Sequence, residues 1–148
     1  MSDAITILPA AAADADEIKV LLAATGLPTM GVDEHWKTFV VARENGRLVG
    51  CGGAEAYRTS ALIRSVAVVP ESRRQGLGRR LVRQLLDRLS ARGLREFYLL
   101  TDGAEPWFAK RGFTRIGRDE VTDEVRSSSH FQQACPDTAV CMRLRMLG

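Results

Sequence analysis

The run Ser65–Leu89, SVAVVPESRRQGLGRRLVRQLLDRL, decides how this chain is read. Its apolar start, SVAVV, reads as a strand and ends at Pro70. Gly76 and Gly78 then stand one residue apart among Arg73, Arg74, Arg79 and Arg80. Beyond them Leu81, Val82, Leu85, Leu86 and Leu89 recur at helical spacing, and Gly93 stops the helix. Glycine weakens a helix, so two of them at its start need a reason. A helix N-terminus carries unpaired N–H groups and partial positive charge. A turn without Cβ atoms lets a diphosphate reach those groups, and the arginines add charge around it. The competing reading is a plain tight turn with a solvated arginine face.

Two familiar phosphate loops do not fit. A Walker A loop needs Gly-Lys-Ser/Thr, which the chain lacks. A dinucleotide fingerprint needs a third small residue where Leu81 stands, and an acidic residue closing the next strand, where Thr101 and Asp102 fit poorly.

The flanking sequence predicts an α/β domain. Ala4–Leu8 alternates as a strand. Asp14 and Glu17 have capping-box spacing before the stripe Ile18, Leu21, Leu22, and Gly26 and Pro28 end that helix. Residues 27–36 read as a loop or short helix. Residues 37–54 form a hairpin signal, with Asn45-Gly46 supplying a type I′ turn. Ala61–Val69, Arg95–Thr101 and Phe113–Asp119 are further strands, and 104–112 is a short helix with Pro106 in its first turn. Residues 123–135 read as helical, and 138–146 alternates as a closing strand. The order is β-α-β-β-β-α-β-α-β-(α)-β, without repeats or linkers, which predicts one domain over residues 1–148 with a mixed sheet.

The chain has 148 residues, a net charge of +3, and 26% charged residues. Acids and bases are interspersed apart from the arginines between Arg73 and Arg95. That local patch suits a small polyanion better than a nucleic acid, which calls for a broad basic face and aromatic platforms. No apolar run has the length of a membrane span. The N-terminus has no basic start followed by an apolar block, so a cytoplasmic location is expected. Cys51, Cys135 and Cys141 lack CxxC spacing and read as buried, reduced thiols, and no metal site is expected.

The pattern Val68-x-Pro70-x-x-Arg73-x-x-Gly76-x-Gly78 resembles motif A of the GNAT superfamily of N-acetyltransferases. The hairpin before it, and the short helix followed by Gly-Phe in AEPWFAKRGF, extend the likeness over nearly the whole chain. YLLTDGAEPWFAKRGF is similar to the acetyltransferase domain of N-acetylglutamate synthases. ALIRSVAV, YLLT and FQQACPDTAVCM resemble the small acetyltransferases found with arsenic-resistance genes. The resemblance implies a GNAT-like, mostly antiparallel sheet of about seven strands, splayed between strands 4 and 5 and flanked by helices. It implies acetyl-CoA as donor, a small-molecule amine as acceptor, and a homodimer. The arsenic likeness implies detoxification of an amino-acid-like toxin by acetylation.

Carried over residue by residue, Val66, Ala67 and Val68 present backbone to the pantetheine arm. Arg73, Arg74, Gln75, Gly76, Leu77, Gly78 and Arg79 wrap the pyrophosphate, and Phe108 is expected among the cofactor-binding residues. The family's usual acid is a tyrosine whose place Phe108 takes, so another group must serve the leaving thiolate. Thr101 closes the strand before that helix and offers a hydroxyl; it equally suits a turn cap. Glu55, at a strand end, is the candidate base, with a water relay to backbone carbonyls as its rival. Tyr57 and His130 rank below it, His130 as a surface residue. Arg64 interrupts an apolar strand, alternating with Val66 and Val68, and is expected to share their face. Its guanidinium would fork onto an acceptor carboxylate, or else be a surface arginine on an exposed face or sit in an internal ion pair. Met30, His35 and Thr138 are expected to shape the acceptor pocket, and Trp36 and Phe131 fit core cover better. Two further readings stay open: a non-catalytic acyl-CoA sensor, which Phe108 favours, and acetylation of a protein amine.

Overall fold

The computed structural model describes residues 5–73, 75–128, 130–134 and 138–146. Seven strands form one sheet in the order β1-β2-β3-β4-β5-β7-β6. They are β1 Thr6–Pro9, β2 Val40–Glu44, β3 Arg47–Ala56, β4 Ser60–Val68, β5 Glu96–Thr101, β6 Thr114–Ile116 and β7 Val140–Arg145. All neighbours pair antiparallel except β4 and β5, which run parallel. The expected mixed, mostly antiparallel sheet is therefore present, with helices packed around it.

The hairpin turn between β2 and β3 follows from its residues: Asn45 and Gly46 both adopt positive φ, 53° and 80°, as a type I′ turn requires. The helices are α1 Ala15–Ala24, α2 Val32–His35, α3 Leu77–Ala91, α4 Glu105–Lys110 and α5 Asp123–Arg126. Helix α3 buries Leu77, Leu81, Val82, Leu85, Leu86 and Leu89. It lies on the face of β3 to which Gly50 and Gly52 turn, where Leu81 and Leu85 approach their backbone. Phe39, Phe97, Phe113 and Ile18 are almost fully buried in the same core. A smaller cluster of Leu62, Tyr98, Val121, Val125, Phe131 and Cys141 closes the opposite side, so Phe131 is core. Cys51 and Cys141 are free, and burial pushes their thiols up to about 12 and about 11. Cys135 lies outside the described residues.

Three local expectations change. Asp14 does not cap α1 through a capping box: its carboxylate accepts from the Ala11 N–H at 2.7 Å and pairs with Arg43, which also binds Glu17. Arg43 competes better for both acids than the helix N–H groups do. The sixth strand ends at Ile116, because residues 118–120 turn into a 3-10 helix. The helix expected over 123–135 is broken into α5, which ends at Arg126, and a π-helical turn over His130–Ala134. Among the described residues no helix is long and apolar enough to cross a membrane, and no group of three or more His, Cys, Asp or Glu could hold a metal.

Gly53 marks where the packing is tightest. A Cβ there would run into the buried Phe39 ring. Gly53→Ala should destabilise the fold by about 1–3 kcal/mol, the usual range for overpacking. A urea titration checks this, with a midpoint lowered by about 1 M.

Candidate active site

Strands β4 and β5 pair only at Ser60–Glu96, Ala61–Phe97 and Leu62–Tyr98. Past Leu62 and Tyr98 they part, while β4 continues to Val68 and β5 to Thr101. The gap is a cleft bordered by Arg64, Ser65 and Val66 on one side and Leu99, Leu100 and Thr101 on the other.

Strand β4 is bulged at this point. Cys51 opposes Ala67 and Gly53 opposes Arg64, so three steps on β4 match two on β3. Ser65 sits in the bulge with φ 62°, a strained conformation for a residue with a Cβ. The bulge overturns the alternation read from sequence. Val66 and Val68 approach Gly52 and Gly78 on the α3 side, whereas Arg64 pairs across from Gly53 on the other face. An extra residue in a strand inverts the parity beyond it.

The glycine turn lies at the outer end of this gap. Residues 70–72 form a 3-10 turn, and the Arg73 Nε donates to the Val68 carbonyl at 3.0 Å, tying the loop to β4. Gly76 is the N-cap of α3 with φ 72°, and no side chain caps the helix. The first helical bond runs from the Arg80 N–H to the Gly76 carbonyl. Among the described residues none accepts from the N–H groups of Leu77, Gly78 or Arg79. The first turn also lacks an acidic residue, so its positive end is uncompensated. Gly76 is needed for its φ, and Gly78 for another reason: its Cβ would stand 3.2 Å from Trp107. Absence of that Cβ lets α4 close down on α3.

A cleft of about 590 Å³ joins these parts. Val66, Ala67, Val68, Arg73, Gly76, Leu77, Gly78, Arg79 and Phe108, which the sequence reading assigned to the cofactor, line it. Gln75 is exposed and does not line it, and Arg74 lies outside the described residues. Trp107 and Arg111 line it as well, with the Arg111 guanidinium 4.9 Å from the Trp107 ring centre. Sequence reasoning missed both. The one signal was a tryptophan beside Phe108 on a six-residue helix.

At the inner end the candidate acceptor residues divide. Arg64 is fully buried and donates from Nη1 to Glu55 Oε2 at 2.8 Å, from Nε to Ser65 Oγ at 2.9 Å and from Nη2 to the Pro28 carbonyl at 3.3 Å. The internal ion pair foreseen as the second reading of Arg64 is thus its resting state. Glu55 is not an exposed strand end. It is 3% exposed, and its Oε1 accepts from the Tyr57 hydroxyl at 3.1 Å. Burial first, then the Glu55 charge, pushes the Tyr57 hydroxyl up to about 12.

His130 is buried too, which corrects its reading as a surface residue. Met30, His35, Glu55, Tyr57 and His130 line a smaller pocket together with Gly31, which packs over the Arg64–Glu55 contact. Thr138 is exposed, and its neighbour Ala139 lines the cleft instead. Thr101 is buried, and its Oγ1 accepts from the Ala104 N–H at 3.2 Å. It therefore caps the turn while lining the cleft.

Two stability predictions follow from these contacts. Glu55→Ala strands the Arg64 charge and should cost about 3–5 kcal/mol, measured by denaturant unfolding. His130 is held near 4 instead of 6.5, chiefly by burial and then by Arg64. A histidine depressed in the folded state lets the unfolded chain take the proton first. Stability should therefore fall as pH drops below about 6.5, by up to about 3 kcal/mol near pH 4. His130→Gln should remove that slope in unfolding curves taken across this window.

The amino-acid acetyltransferase of Neisseria meningitidis is 27% identical over 97 residues, which is 64% of this chain and 22% of that protein. The present chain thus spans about a fifth of that relative. N-acetylglutamate synthase from Neisseria gonorrhoeae, complexed with coenzyme A and N-acetyl-glutamate, has a TM-score of 0.83 at 22% identity. That match covers 100% of this chain and 36% of that one, and is a likeness of fold. A Mycobacterium tuberculosis protein in complex with CoA and NLQ has a TM-score of 0.80 at 27% identity, covering 96% of this chain and 99% of that one. The model of the acetyltransferase (GNAT) family matches residues 14–113. Motif A, the parted strands and this match agree: the chain belongs to the acetyltransferase (GNAT) family.

Proposed function

We propose that the protein moves the acetyl group of acetyl-CoA to the primary amine of a small, amino-acid-like acceptor. One observation carries the reading. The gap between β4 and β5 runs without interruption into the uncapped first turn of α3. Family membership and the CoA complex of the M. tuberculosis neighbour support the donor. The amino-acid acetyltransferase name of the N. meningitidis relative supports the acceptor class.

In this reading the pyrophosphate sits on the N–H groups of Leu77, Gly78 and Arg79, with Arg73 beside it and Arg74 and Gln75 completing the loop. The pantetheine arm lies along Val66, Ala67 and Val68, whose edge toward β5 has no strand partner. The thioester then reaches Ser65 and Thr101. The neutral amine attacks the carbonyl carbon while both substrates are bound, and the C–S bond breaks. The amine loses one proton and the thiolate gains one, giving the N-acetyl product and CoA. Thr101 offers its hydroxyl to the sulfur in place of the absent tyrosine.

Arg64 holds the acceptor carboxylate with the N–H groups it does not use internally. Both carboxylate oxygens of Glu55 are already engaged, by Arg64 and by the Tyr57 hydroxyl. Glu55 therefore keeps Arg64 in place, and the amine proton leaves through water to backbone carbonyls. Met30 and His35 border the pocket behind this pair.

The rival reading is an acyl-CoA sensor, favoured by Phe108 in the tyrosine place. A thiol-release assay with acetyl-CoA and a panel of amino acids separates the two. The panel includes glutamate, methionine, and arsenical and phosphinic analogues, the arsenical testing the arsenic-resistance likeness. Turnover is expected with at least one acceptor. Arg64→Lys should raise acceptor KM about tenfold or more, with acetyl-CoA KM changed far less. Binding of acetyl-CoA without turnover across the panel would establish the sensor instead.

A further inference from the structure

Among the described residues only Asn45 and Ser65 have positive φ without being glycine. Asn45 belongs to the β2–β3 turn, which demands that conformation. Ser65 lies inside a strand, at φ 62°. Glycines take the other positive-φ positions, and a glycine at 65 would meet the bulge without strain. What serine adds there is a hydroxyl, at the cost of a strained backbone. Such strain persists where the surroundings over-determine the residue, and it concentrates at functional sites.

The surroundings of Ser65 do hold it. Its Oγ accepts from Arg64 Nε at 2.9 Å, and its carbonyl accepts from Cys51 Sγ at 3.2 Å. Side chains of neighbouring residues in a regular strand point to opposite faces. The left-handed backbone at Ser65 breaks that alternation, and so its hydroxyl can meet the side chain of residue 64. Both residues border the cleft between β4 and β5.

We infer that Ser65 is a positioning residue for the acceptor, its hydroxyl setting the plane of the Arg64 guanidinium that grips the acceptor carboxylate. The inference rests on the acetyl-transfer reading and deepens it. A guanidinium carries five N–H groups in a planar fork. Glu55 takes one on Nη1 and the Pro28 carbonyl one on Nη2, which leaves one on each terminal nitrogen. The Pro28 contact is the longest of the three, at 3.3 Å. The Ser65 contact is at Nε, nearest the side-chain stem, where it stops the plane from turning about that stem. A directional grip on a carboxylate needs the plane fixed.

Ser65→Ala and Ser65→Gly, made in the full chain, test this. Both lose the hydroxyl, but only alanine keeps the strained Cβ, so the glycine variant should unfold at higher urea than the alanine variant. The kinetic change should nevertheless be the same in both. With acetyl-CoA and the amino acid that the panel shows to turn over best, acceptor KM should rise about three- to tenfold, the worth of one hydrogen bond. Acetyl-CoA KM and kcat should stay within about twofold. By NMR, the Arg64 Nε–H signal, assigned by its loss in Arg64→Lys, should be protected from solvent exchange in the wild type and unprotected in both variants. An acceptor KM that stays at the wild-type value, that follows the unfolding midpoints, or that is matched by acetyl-CoA KM overturns the inference, as does an Nε–H signal still protected in the variants. Each of these leaves the acetyl-transfer reading standing. A wild type that turns over no amino acid of the panel overturns the two together.

Discussion

Strands β4 and β5 can part because neither depends on the other. Strand β4 is held along its length by β3, and β5 pairs with β7 at six consecutive positions from Glu96 to Thr101. Their mutual pairing covers three residues. Beyond it, the bulge at Ser65 bends and twists β4 away, as an extra residue in one strand does. The consequence is chemical. Backbone N–H and C=O groups on that edge of β4 have no strand partner, and buried polar backbone must find water or a ligand. The site of this protein is in that sense a region where the sheet was left unfinished.

The Arg64–Glu55 pair lies at the head of the gap and divides two cavities. A buried ion pair contributes little net stability, because desolvation offsets most of the attraction. Its value is positional. Three of the guanidinium's donors are used by Glu55, Ser65 and Pro28, which fixes its plane. Gly31, lacking a Cβ, is what allows the α1–α2 segment to cover the pair: a side chain there would meet Arg64 Nη1. Tyr57 and His130 complete the enclosure, each biased by burial toward its neutral form. One fixed pair of opposite charges is thus walled in by neutral groups.

Much of this was legible in the sequence where a local rule decided the outcome. The Asn45-Gly46 turn, the apolar stripe of α3 and the strand–turn–helix around Gly76 each depend on residues a few positions apart, and each is present. The face of Arg64 was not legible. It hangs on a bulge at Ser65, a residue with no special tolerance for positive φ, and the partner strand imposes it. Burial of Glu55 and His130 was hidden for the same reason: their surroundings come from β4, α2 and the segment after α5, distant in sequence. Residues 123–135 carried helix-compatible residues but one buried apolar position, Val125, before the serines, too little to hold a continuous helix against the sheet.

The replacement of tyrosine by Phe108 has its own physical logic. The Phe108 ring meets Trp107 edge-on at 4.9 Å and Phe113 at 5.8 Å. Trp107 in turn lies against Gly78. A continuous aromatic contact thus runs from the start of α3 to the strand after α4, and a hydroxyl at 108 is not part of it. In the proposed reaction the demand on an acid is modest. A thiol has an ordinary pKa near 8.5, so its anion is a tolerable leaving group that needs a hydrogen bond more than full protonation. Thr101 is the group proposed for that demand, and its oxygen is fixed by the Ala104 N–H. Packing at 108 and donation at 101 are then separate tasks on adjoining elements.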